Sequence, residues 1–294
     1  MKTILVIGKS GQLAKELSDL GSEKINIICL GRKEIDILSI DSIIDSINKY
    51  SPMAVINASA FTQVDLAEEK VQDAYNLNAI AVGNLADACQ QTGIHLTHIS
   101  TDFVFDGEKS KPYVTSDKVN PIGVYGTSKA EGESLLAAKH DNFCIIRTSW
   151  VYSVYGNNFV KTILRLIRER NELNIVADQI GTPTSAKYLA NACLYASVNN
   201  VKGTHHWTDL GIASWYDFAV AIQELAYENK IINRIIPIHP IDAKDYPTPA
   251  KRPHYSVLDK RSLKTTFNEV KNRHWRANLE AVIKELKKGE AKSE

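Results

Sequence analysis

Tyr125 and Lys129 are separated by three residues, and the segment Ser100-Thr101-Asp102 precedes them in the chain. On a helix, residues four positions apart share one face, so the phenol and the ammonium would lie side by side. A tyrosine normally titrates near pH ~10, and a fixed cation nearby lowers that pKa. If the Thr101 hydroxyl holds a substrate oxygen, the three groups suit proton delivery to a carbonyl while a hydride reaches its carbon. The alternative, which the spacing alone favours, is a half-buried tyrosine beside a solvated lysine.

A glycine-rich turn near the start of the chain changes that balance. Residues 3–7 predict a short buried strand, and Gly8-Lys9-Ser10-Gly11-Gln12-Leu13-Ala14 follows at once. The first glycine permits a tight turn, the second lets a pyrophosphate approach the backbone, and the small Ala14 allows the next helix to pack closely on the strand. The N-terminus of that helix offers free N–H groups and the positive end of its dipole. The pattern therefore predicts a dinucleotide site, which makes the tyrosine–lysine pair a candidate for hydride-transfer chemistry.

The end of the second predicted strand, residues 25–30, indicates which dinucleotide binds. An NAD-specific site usually has an acid there for the ribose 2′-hydroxyl. This chain has Arg32 and Lys33 instead, which favours a 2′-phosphate and hence NADPH, with NADH as the alternative. Asp36 could accept a hydrogen bond from the adenine amino group, or it could cap a nearby helix.

Composition and charge exclude several classes of protein. The 294 residues are 44% hydrophobic, enough for one large α/β domain or for a nucleotide domain with a smaller partner. The formal net charge of +1 gives no reason to expect nucleic acid or an anionic membrane as a partner. The four cysteines are dispersed, as in proteins of a reducing compartment. With no secretory pattern and no long apolar run, the chain is expected to be cytoplasmic.

The order of predicted elements indicates an α/β fold. Apolar, strand-like runs occur at residues 3–7, 25–30, 54–57, 95–100 and 142–147, and helical patterns between them at 12–20, 41–50, 68–92 and 122–138. Such alternation is typical of a doubly wound parallel sheet, or Rossmann fold, with right-handed crossovers. Ligands in these folds bind beyond the carboxyl ends of the strands. Gly8, Arg32, Ala58, Thr101 and Ser149 all lie at or just after those ends.

Beyond about Trp150 the regular alternation weakens, which predicts two domains. Residues 1–149 would form the NAD(P)-binding Rossmann domain, with segments near 174–180 and 201–208 returning to it. Residues 150–294 would form mainly a smaller substrate-binding domain. Within it, residues 239–253 contain four prolines and predict a long loop that could close over a ligand.

Several blocks of this sequence resemble a known family. The glycine turn, Asn57-Ala58-Ser59-Ala60, the Thr101 strand end and the tyrosine–lysine spacing resemble the extended short-chain dehydrogenase/reductase superfamily. More particular blocks resemble the dTDP-4-dehydrorhamnose reductase family: S-T-D-F-V-F-D-G from residue 100, R-T-S-W-V-Y from residue 147, D-Q-I-G-T-P-T from residue 178, and Arg252-Pro253.

This resemblance implies an activity and a role for each matching residue. The activity is reduction of the C4 ketone of a dTDP-linked 6-deoxyhexulose to give dTDP-L-rhamnose, a precursor of cell-surface polysaccharide. Tyr125 would donate the proton, Thr101 would orient the ketone, and Lys129 would lower the pKa of the phenol and bind the nicotinamide ribose. Asp102 and Trp150 match positions that line the sugar, and Arg252 could meet the diphosphate or be a solvated loop residue. The positions that match the surroundings of the dinucleotide are Gly8, Gly11, Gln12, Leu13, Asp36, Ile37, Ala58 and Ala60.

The residues assign neither a metal site nor an assembly. Some relatives bridge subunits through magnesium held by acidic side chains, but no carboxylate cluster marks such a site here, so no metal is assigned. Glu68-Glu69 is interpreted as a solvated helical face. Asn78 either corresponds to a superfamily asparagine near the active site or is a polar residue on a long helix. A homodimer is a hypothesis only, because the residues leave the oligomeric state open.

Related proteins have four other functions. Related dehydratases place an Asp-Glu pair after the active-site threonine, whereas here Asp102 is followed by Phe103, which argues against dehydration. An epimerase, or a reductase of another nucleotide-4-ketosugar, could use the same three catalytic groups. Some members of the subfamily are non-catalytic regulatory subunits of methionine adenosyltransferase that bind NADP without reducing a sugar.

Overall fold

The computed structural model describes residues 2–290, and its first five strands each end where apolar residues give way to a glycine or a polar residue. Within that range the strands are β1 (Lys2–Ile7), β2 (Ile25–Leu30), β3 (Ala54–Asn57), β4 (His95–Thr101), β5 (Phe143–Thr148), β6 (Val151–Tyr152), β7 (Leu173–Val176), β8 (Ile180–Gly181), β9 (Thr184–Ser185), β10 (Gly203–His206), β11 (Ala213–Ser214) and β12 (Ile238–Ile241). The α-helices are α1 (Gln12–Ser18), α2 (Ile40–Tyr50), α3 (Val64–Glu69), α4 (Val71–Tyr75), α5 (Ala81–Thr92), α6 (Val124–Lys139), α7 (Phe159–Glu169), α8 (Ala186–Val198), α9 (Trp215–Glu228), α10 (Arg261–Thr265) and α11 (Trp275–Glu290).

The main sheet is parallel and doubly wound, which confirms the predicted fold class. Its strand order is β2-β1-β3-β4-β5-β10, and every neighbouring pair is parallel. Helices α1 and α8 pack on one face, and α2 and α5 contribute to the core on the other. The chain leaves β1 for β2 and returns to β3 on the opposite side of β1. This change of direction is the point at which such sheets bind ligands.

The second half of the chain has a separate hydrophobic core. Residues of α7, α9 and α11 pack there around Tyr152, Phe218 and Trp275. Ser214 begins α9 with a capping box, because its side chain accepts from the backbone N–H of Asp217 while the Asp217 carboxylate accepts from the backbone N–H of Ser214.

The prediction that a segment near 201–208 returns to the main sheet is confirmed, because β10 joins it beside β5. Two other sequence-based assignments in this half differ from the structure. The segment near 174–180 does not join the main sheet, because β7 pairs with β12 in a separate two-stranded sheet. The proposed loop at residues 239–253 therefore begins as a strand, and a single turn of 3-10 helix, Ala243–Asp245, follows. Only the remainder of that segment is irregular.

The predicted continuous helix at 68–92 is also wrong in detail. It is divided into α3, α4, a π-helical turn at Asn76–Ile80, and α5. The π-helical turn lies against Gly132 of α6, where a Cβ atom would come within 2.0 Å of the Asn78 carbonyl oxygen. Such π-helical turns occur frequently at functional sites, and this one packs directly on the helix that carries Tyr125 and Lys129.

Candidate active site

The predicted catalytic residues lie at the carboxyl edge of the main sheet. Thr101 ends β4, a 3-10 turn at Asp102–Val104 follows, and Tyr125 lies in the first turn of α6. The rings of Phe103 and Tyr125 meet edge to face, with their centroids 5.6 Å apart. A Cβ atom on Gly126 would come within 2.2 Å of the Phe103 carbonyl oxygen. The glycine after the tyrosine is therefore needed for α6 to approach the 3-10 turn.

Thr101 and Asp102 form a hydrogen-bonded pair below the phenol. The Thr101 hydroxyl donates to Asp102 Oδ1 at 3.0 Å and accepts from the backbone N–H of Phe103 at 3.2 Å. Asp102 is buried, and this burial raises the pKa of its carboxyl to about 6, although the Ser256 and Thr101 hydroxyls act in the opposite direction. Asp102 Oδ2 has no hydrogen-bond partner among residues 2–290. The site therefore contains an acceptor that a sugar hydroxyl could satisfy.

The phenol of Tyr125 is protonated at neutral pH. Burial raises the pKa of Tyr125 to about 12; the Thr101 hydroxyl lowers this pKa, and the nearby Asp102 raises it. We expected Lys129 to lower the pKa of the phenol, and the structure differs from that expectation. A protonated phenol is nevertheless the form that a proton donor requires.

Lys129 is directed towards β4. Its ammonium group lies 2.6 Å from the Ile99 carbonyl oxygen and 3.2 Å from His98 Nε2. The side chain is buried, and this burial lowers the pKa of Lys129 to about 8. Within the described part of the chain, no hydrogen bond joins the Lys129 nitrogen to the Tyr125 phenol. Contact with a nicotinamide ribose would require the nitrogen to leave this position.

Glu68 holds the beginning of α6, a contact that sequence reasoning missed. Its carboxylate accepts from the backbone N–H of Val124 at 2.9 Å. The N-cap residue of α6 is Gly123, which has no side chain to cap the helix, so an acceptor must come from elsewhere. Glu68 is half-buried against this helix end, contrary to its interpretation as a solvated face. The only signal in the sequence was a helix that begins after a glycine.

Asn78 is buried at the interface between α6 and the loop after β3. Its amide nitrogen donates to Ser128 Oγ at 3.0 Å and to the Phe61 carbonyl at 3.1 Å, while its oxygen accepts from the Phe61 N–H at 2.8 Å. Ser128 Oγ in turn donates to the Tyr125 carbonyl oxygen at 2.9 Å. Asn78 therefore links the residues after β3 to the turn of α6 that carries the phenol.

The glycine turn fits a dinucleotide. Gly8 has a φ of +111°, and a Cβ atom there would lie 3.2 Å from the backbone of Ala58, so the chain after β1 passes close to the chain after β3. A Cβ atom on Gly11 would meet nothing within 4 Å, which leaves space above the first turn of α1. Leu13 is buried in the core, so only its backbone could face a ligand. Gln12 is half-buried, and its side-chain oxygen accepts from the Asn158 amide at 2.9 Å.

The residues after β2 surround the expected adenosine position. Arg32 is exposed and makes no ion pair within residues 2–290, whereas Lys9 pairs with Glu34 at 2.6 Å. Asp36 accepts from the backbone N–H of Leu38 at 2.9 Å, which closes a local turn and leaves its second carboxylate oxygen available. Ile37 is half-buried against the core, and Ala60 is half-buried in the loop after β3. The free guanidinium fits a 2′-phosphate.

Trp150 forms an aromatic wall at the start of the second half of the chain. Its φ is +47°, a left-handed conformation that is uncommon for a bulky residue. Its indole stacks on that of Trp215, with centroids 3.6 Å apart and an interplanar angle of 8°. A Cβ atom on Gly181 would lie 2.6 Å from the indole. The glycine of the D-Q-I-G-T-P-T block thus provides the space in which Trp150 lies.

Arg252 is already held within the protein. It donates to both carboxylate oxygens of Asp65, at 3.0 and 2.7 Å, and to the Ala250 carbonyl at 3.1 Å. Asp65 lies on α3, one turn before Glu68. The same short helix therefore anchors both the loop around residue 250 and the beginning of α6. The role of Arg252 at a diphosphate stays a prediction.

Residues 2–290 contain neither a candidate metal cluster nor a membrane-spanning helix. No group of three or more His, Cys, Asp or Glu side chains there could hold a metal ion. No helix in that part of the chain is long and apolar enough to cross a membrane.

Comparisons with known proteins agree with this geometry. A model of the family described as RmlD substrate binding domain matches residues 1–288. A dTDP-4-dehydrorhamnose reductase from Aggregatibacter actinomycetemcomitans is 38% identical over 290 residues, which is 96% of this chain and 98% of the relative. The structure of a dTDP-4-dehydrorhamnose reductase from Clostridium acetobutylicum has 39% identity and a TM-score of 0.90, over 97% of this chain and 99% of that one. A Bacillus anthracis enzyme of the same name, solved in complex with NADP, has 35% identity and a TM-score of 0.90, over 97% and 100% of the two chains.

Proposed function

The chain belongs to the RmlD substrate binding domain family, as its motifs predict, and we propose that it reduces the C4 ketone of dTDP-4-dehydro-L-rhamnose to dTDP-L-rhamnose with NADPH. The observation that carries this proposal is the position of the protonated Tyr125 phenol. It lies beside Thr101, which ends β4. The strand β4 belongs to the same sheet as β1, which the glycine turn follows.

The chemistry of the site follows from its side chains. Thr101 holds the ketone oxygen against the phenol, so that the carbonyl is both polarised and oriented. When bound, NADPH supplies the hydride that reduces the ketone carbon. As negative charge develops on the ketone oxygen, Tyr125 Oη transfers its proton to it, and the resulting phenolate regains a proton from solvent. An ammonium on Lys129 stabilises that phenolate.

The cofactor would be held by the groups that the first half of the chain gathers. The backbone at Gly8, Gly11 and Leu13 would face the diphosphate, and Arg32 would pair with the 2′-phosphate. Asp36 would offer its free oxygen to the adenine amino group. The further residues assigned to this site are Gln12, Ile37, Ala58, Ala60 and Lys129.

We further propose a division of labour along the chain. Residues 1–149 bind the cofactor, and residues 150–294 mainly bind the nucleotide sugar. The stacked Trp150 and Trp215 offer an aromatic surface to the sugar or base, and the unpaired oxygen of Asp102 offers an acceptor to a sugar hydroxyl. Arg252, which Asp65 already orients, would approach the diphosphate.

The test is turnover with a panel of nucleotide-4-ketosugars, each supplied with NADPH and with NADH. Oxidation of NADPH by dTDP-4-dehydro-L-rhamnose is expected, whereas a regulatory subunit would bind NADP without turnover. Tyr125→Phe should lower kcat by about 10²-fold or more, since general acid catalysis typically contributes that much, while the Kd for NADPH stays the same. Tyr227→Phe, an exposed tyrosine on α9, is the matched control. Near-normal turnover of Tyr125→Phe would show that the phenol is not the proton donor.

Location and assembly are also part of this proposal. The four cysteines are free thiols, which suits the reducing cytoplasm as the site of action. A homodimer is the proposed assembly; Val71, at the start of α4, and Ile80, at the end of the π-helical turn, expose apolar side chains that a second copy could cover. Light scattering of the purified protein would distinguish a dimer from a monomer.

A further inference from the structure

A buried chain of hydrogen-bonding groups lies beneath Lys129. His98 on β4 is inaccessible to solvent; its Nε2 lies 3.2 Å from Lys129 Nζ, and its Nδ1 lies 3.1 Å from the side-chain nitrogen of Asn57 on β3. Asn57 is buried as well. The proposed mechanism assigns no role to either residue, although both pack directly behind the catalytic lysine.

The orientation of the Asn57 amide is fixed by its other contacts. Its Oδ1 accepts from the backbone N–H of Ser59 at 3.1 Å and from the Ser59 hydroxyl at 2.7 Å. A flipped amide would place NH₂ against that backbone N–H, which cannot accept. The amide nitrogen therefore faces His98 and donates to Nδ1, so Nδ1 carries no hydrogen. Burial lowers the pKa of His98 well below its usual range, so the ring is neutral and its single proton is on Nε2.

This tautomer determines the protonation state of Lys129 at this position. The Nε2–H of His98 points at Lys129 Nζ, and an ammonium has three donors and no acceptor. A neutral amine has a lone pair that accepts from Nε2–H, and it still donates to the Ile99 carbonyl oxygen 2.6 Å away. Only the neutral amine satisfies both contacts. Burial acts in the same direction, since it lowers the pKa of Lys129 to about 8.

The other titratable groups around Lys129 do not reverse this conclusion. Glu133, one turn further along α6, favours the ammonium, but its carboxylate is paired with Arg147 at 2.6 Å. Tyr125, one turn before, carries a neutral phenol at physiological pH. Because the Glu133 charge is compensated by its own partner, the contacts with His98 and Ile99 decide the state of the amine.

We propose that Asn57 and His98 hold Lys129 as a neutral amine, and that Lys129 takes up one proton from solvent when it leaves His98 for the nicotinamide ribose. The inference rests on the proposed role of Lys129 at the cofactor. At about pH 8 and above, binding of NADPH is then coupled to proton uptake, and the ammonium that stabilises the Tyr125 phenolate forms as the cofactor binds. The affinity for NADPH falls as the pH rises, by up to about tenfold per pH unit between about 8 and 10.

The tautomer can be measured directly, without any assumption about function. Protein labelled with ¹⁵N-histidine and without cofactor is studied by long-range ¹H–¹⁵N correlation NMR, and His98→Gln assigns the His98 signals by their loss. We expect a neutral ring with hydrogen on Nε2 and an unprotonated Nδ1. Hydrogen on Nδ1, or a charged ring, would overturn the inference while leaving the reductase proposal intact. This measurement needs only the wild-type fold and an assignment.

Proton uptake is the second test. Calorimetric titration with NADPH at pH 8, in buffers of different ionisation enthalpy, counts the protons; at that pH the 2′-phosphate, with a pKa near ~6, is already ionised. We expect about 0.5 to 1 proton for the wild type and for His205→Phe, a matched histidine on the edge strand β10. Lys129→Met should take up none. His98→Phe should take up fewer protons than the wild type, because the N–H that opposes the ammonium is gone while the burial of Lys129 remains.

A third variant tests the same contact in case His98→Phe does not fold. Asn57→Asp replaces the amide donor by a carboxylate, which accepts from His98 Nδ1–H and turns Nε2 into an acceptor for an ammonium. Uptake should fall in this variant too. If the wild type takes up no proton while Tyr125→Phe is inactive, the inference fails and the proposed function stands. If no variant or wild type turns over the ketosugar, the proposed function fails independently of the proton count.

Discussion

Removing the carboxylate of Glu68 should loosen the first turn of α6, where Tyr125 lies. The carboxylate accepts from the Val124 N–H at 2.9 Å, and Gly123, at the N-cap, offers no side chain to replace it. Glu68→Ala leaves that N–H without its partner and removes a negative charge from the positive end of the helix dipole.

The size of the effect follows from these two contributions. Loss of an N-cap acceptor costs about 0.5–2 kcal/mol, and loss of an anion at a helix N-terminus costs about 0.3–1 kcal/mol. Because Glu68 is half-buried, we expect the free energy of unfolding to fall by about 1–2 kcal/mol, a factor of about 5–30 in the unfolding equilibrium. Since Tyr125 belongs to the same turn, kcat should fall by up to a similar factor, with little change in KM.

The assay combines urea unfolding with steady-state kinetics at saturating NADPH. Glu68→Gln keeps an acceptor oxygen and loses only the charge, so it should show less than half of the loss. Glu69→Ala removes an exposed neighbour and is the control. Gly123→Ala tests the same contact without changing Glu68, because its Cβ atom would lie 2.9 Å from Glu68 Oε1 and displace the carboxylate. Its φ of −150° accepts any residue.

The reasoning would be refuted by a Glu68→Ala protein with the stability and kcat of Glu69→Ala. A loss of stability without a change in kcat would refute only the link between the cap and the phenol. Equal losses in Glu68→Gln and Glu68→Ala would assign the whole effect to charge and none to the hydrogen bond.

Three other outcomes are expected. Burial raises the pKa of Asp209 to about 7, so the folded protein keeps this proton at pH values where the unfolded chain, with a pKa of 3.8, has lost it. The free energy of unfolding therefore falls by up to about 4 kcal/mol as the pH rises from 3.8 to about 7. Urea titrations at pH 4 and pH 8 should show that Asp209→Asn removes this pH dependence. Arg147→Met should cost about 3–5 kcal/mol, since it leaves the buried Glu133 without its partner, and adding Glu133→Leu should restore most of the loss in the same titrations. Gly126→Ala should cost about 1–3 kcal/mol and lower kcat, because its Cβ atom would lie 2.2 Å from the Phe103 carbonyl oxygen; unchanged turnover would mean that α6 can shift without consequence.

The strands of the main sheet could be predicted because buried parallel strands are continuous apolar runs in the sequence. Strands β1 to β5 each begin and end within one residue of the apolar runs in the sequence. Gly8 after β1 and Gly31 after β2 mark the ends as plainly as the runs mark the strands. The gathering of polar residues at one edge then followed from the parallel topology.

Elements that depend on distant partners could not be predicted. β12 is a strand because β7 pairs with it, and neither segment has a long apolar run of its own. The predicted helix over residues 68–92 is interrupted where the Asn78 carbonyl meets α6 at Gly132. Local patterns carry no information about either contact.

The site shows the same division between local and distant information. The spacing of Tyr125 and Lys129 correctly placed both on α6. It did not reveal that the lysine nitrogen turns to Ile99 and His98, because those partners belong to another strand. The cap at Glu68 was missed for the same reason, since a carboxylate in an acidic pair looks solvated until a helix end is placed against it.

The two glycines of α6 have a consequence for how the catalytic helix can respond to change. Gly126 lies against the Phe103 backbone and Gly132 against the Asn78 backbone, one contact near each end of the catalytic stretch. Backbone contacts at both positions fix the rotational phase of the helix about its own axis. Together with the contacts of Glu68 and Asn78, these main-chain contacts determine where Tyr125 and Lys129 point. Substitutions on α6 away from those contacts can alter its stability without turning the phenol away from the ketone.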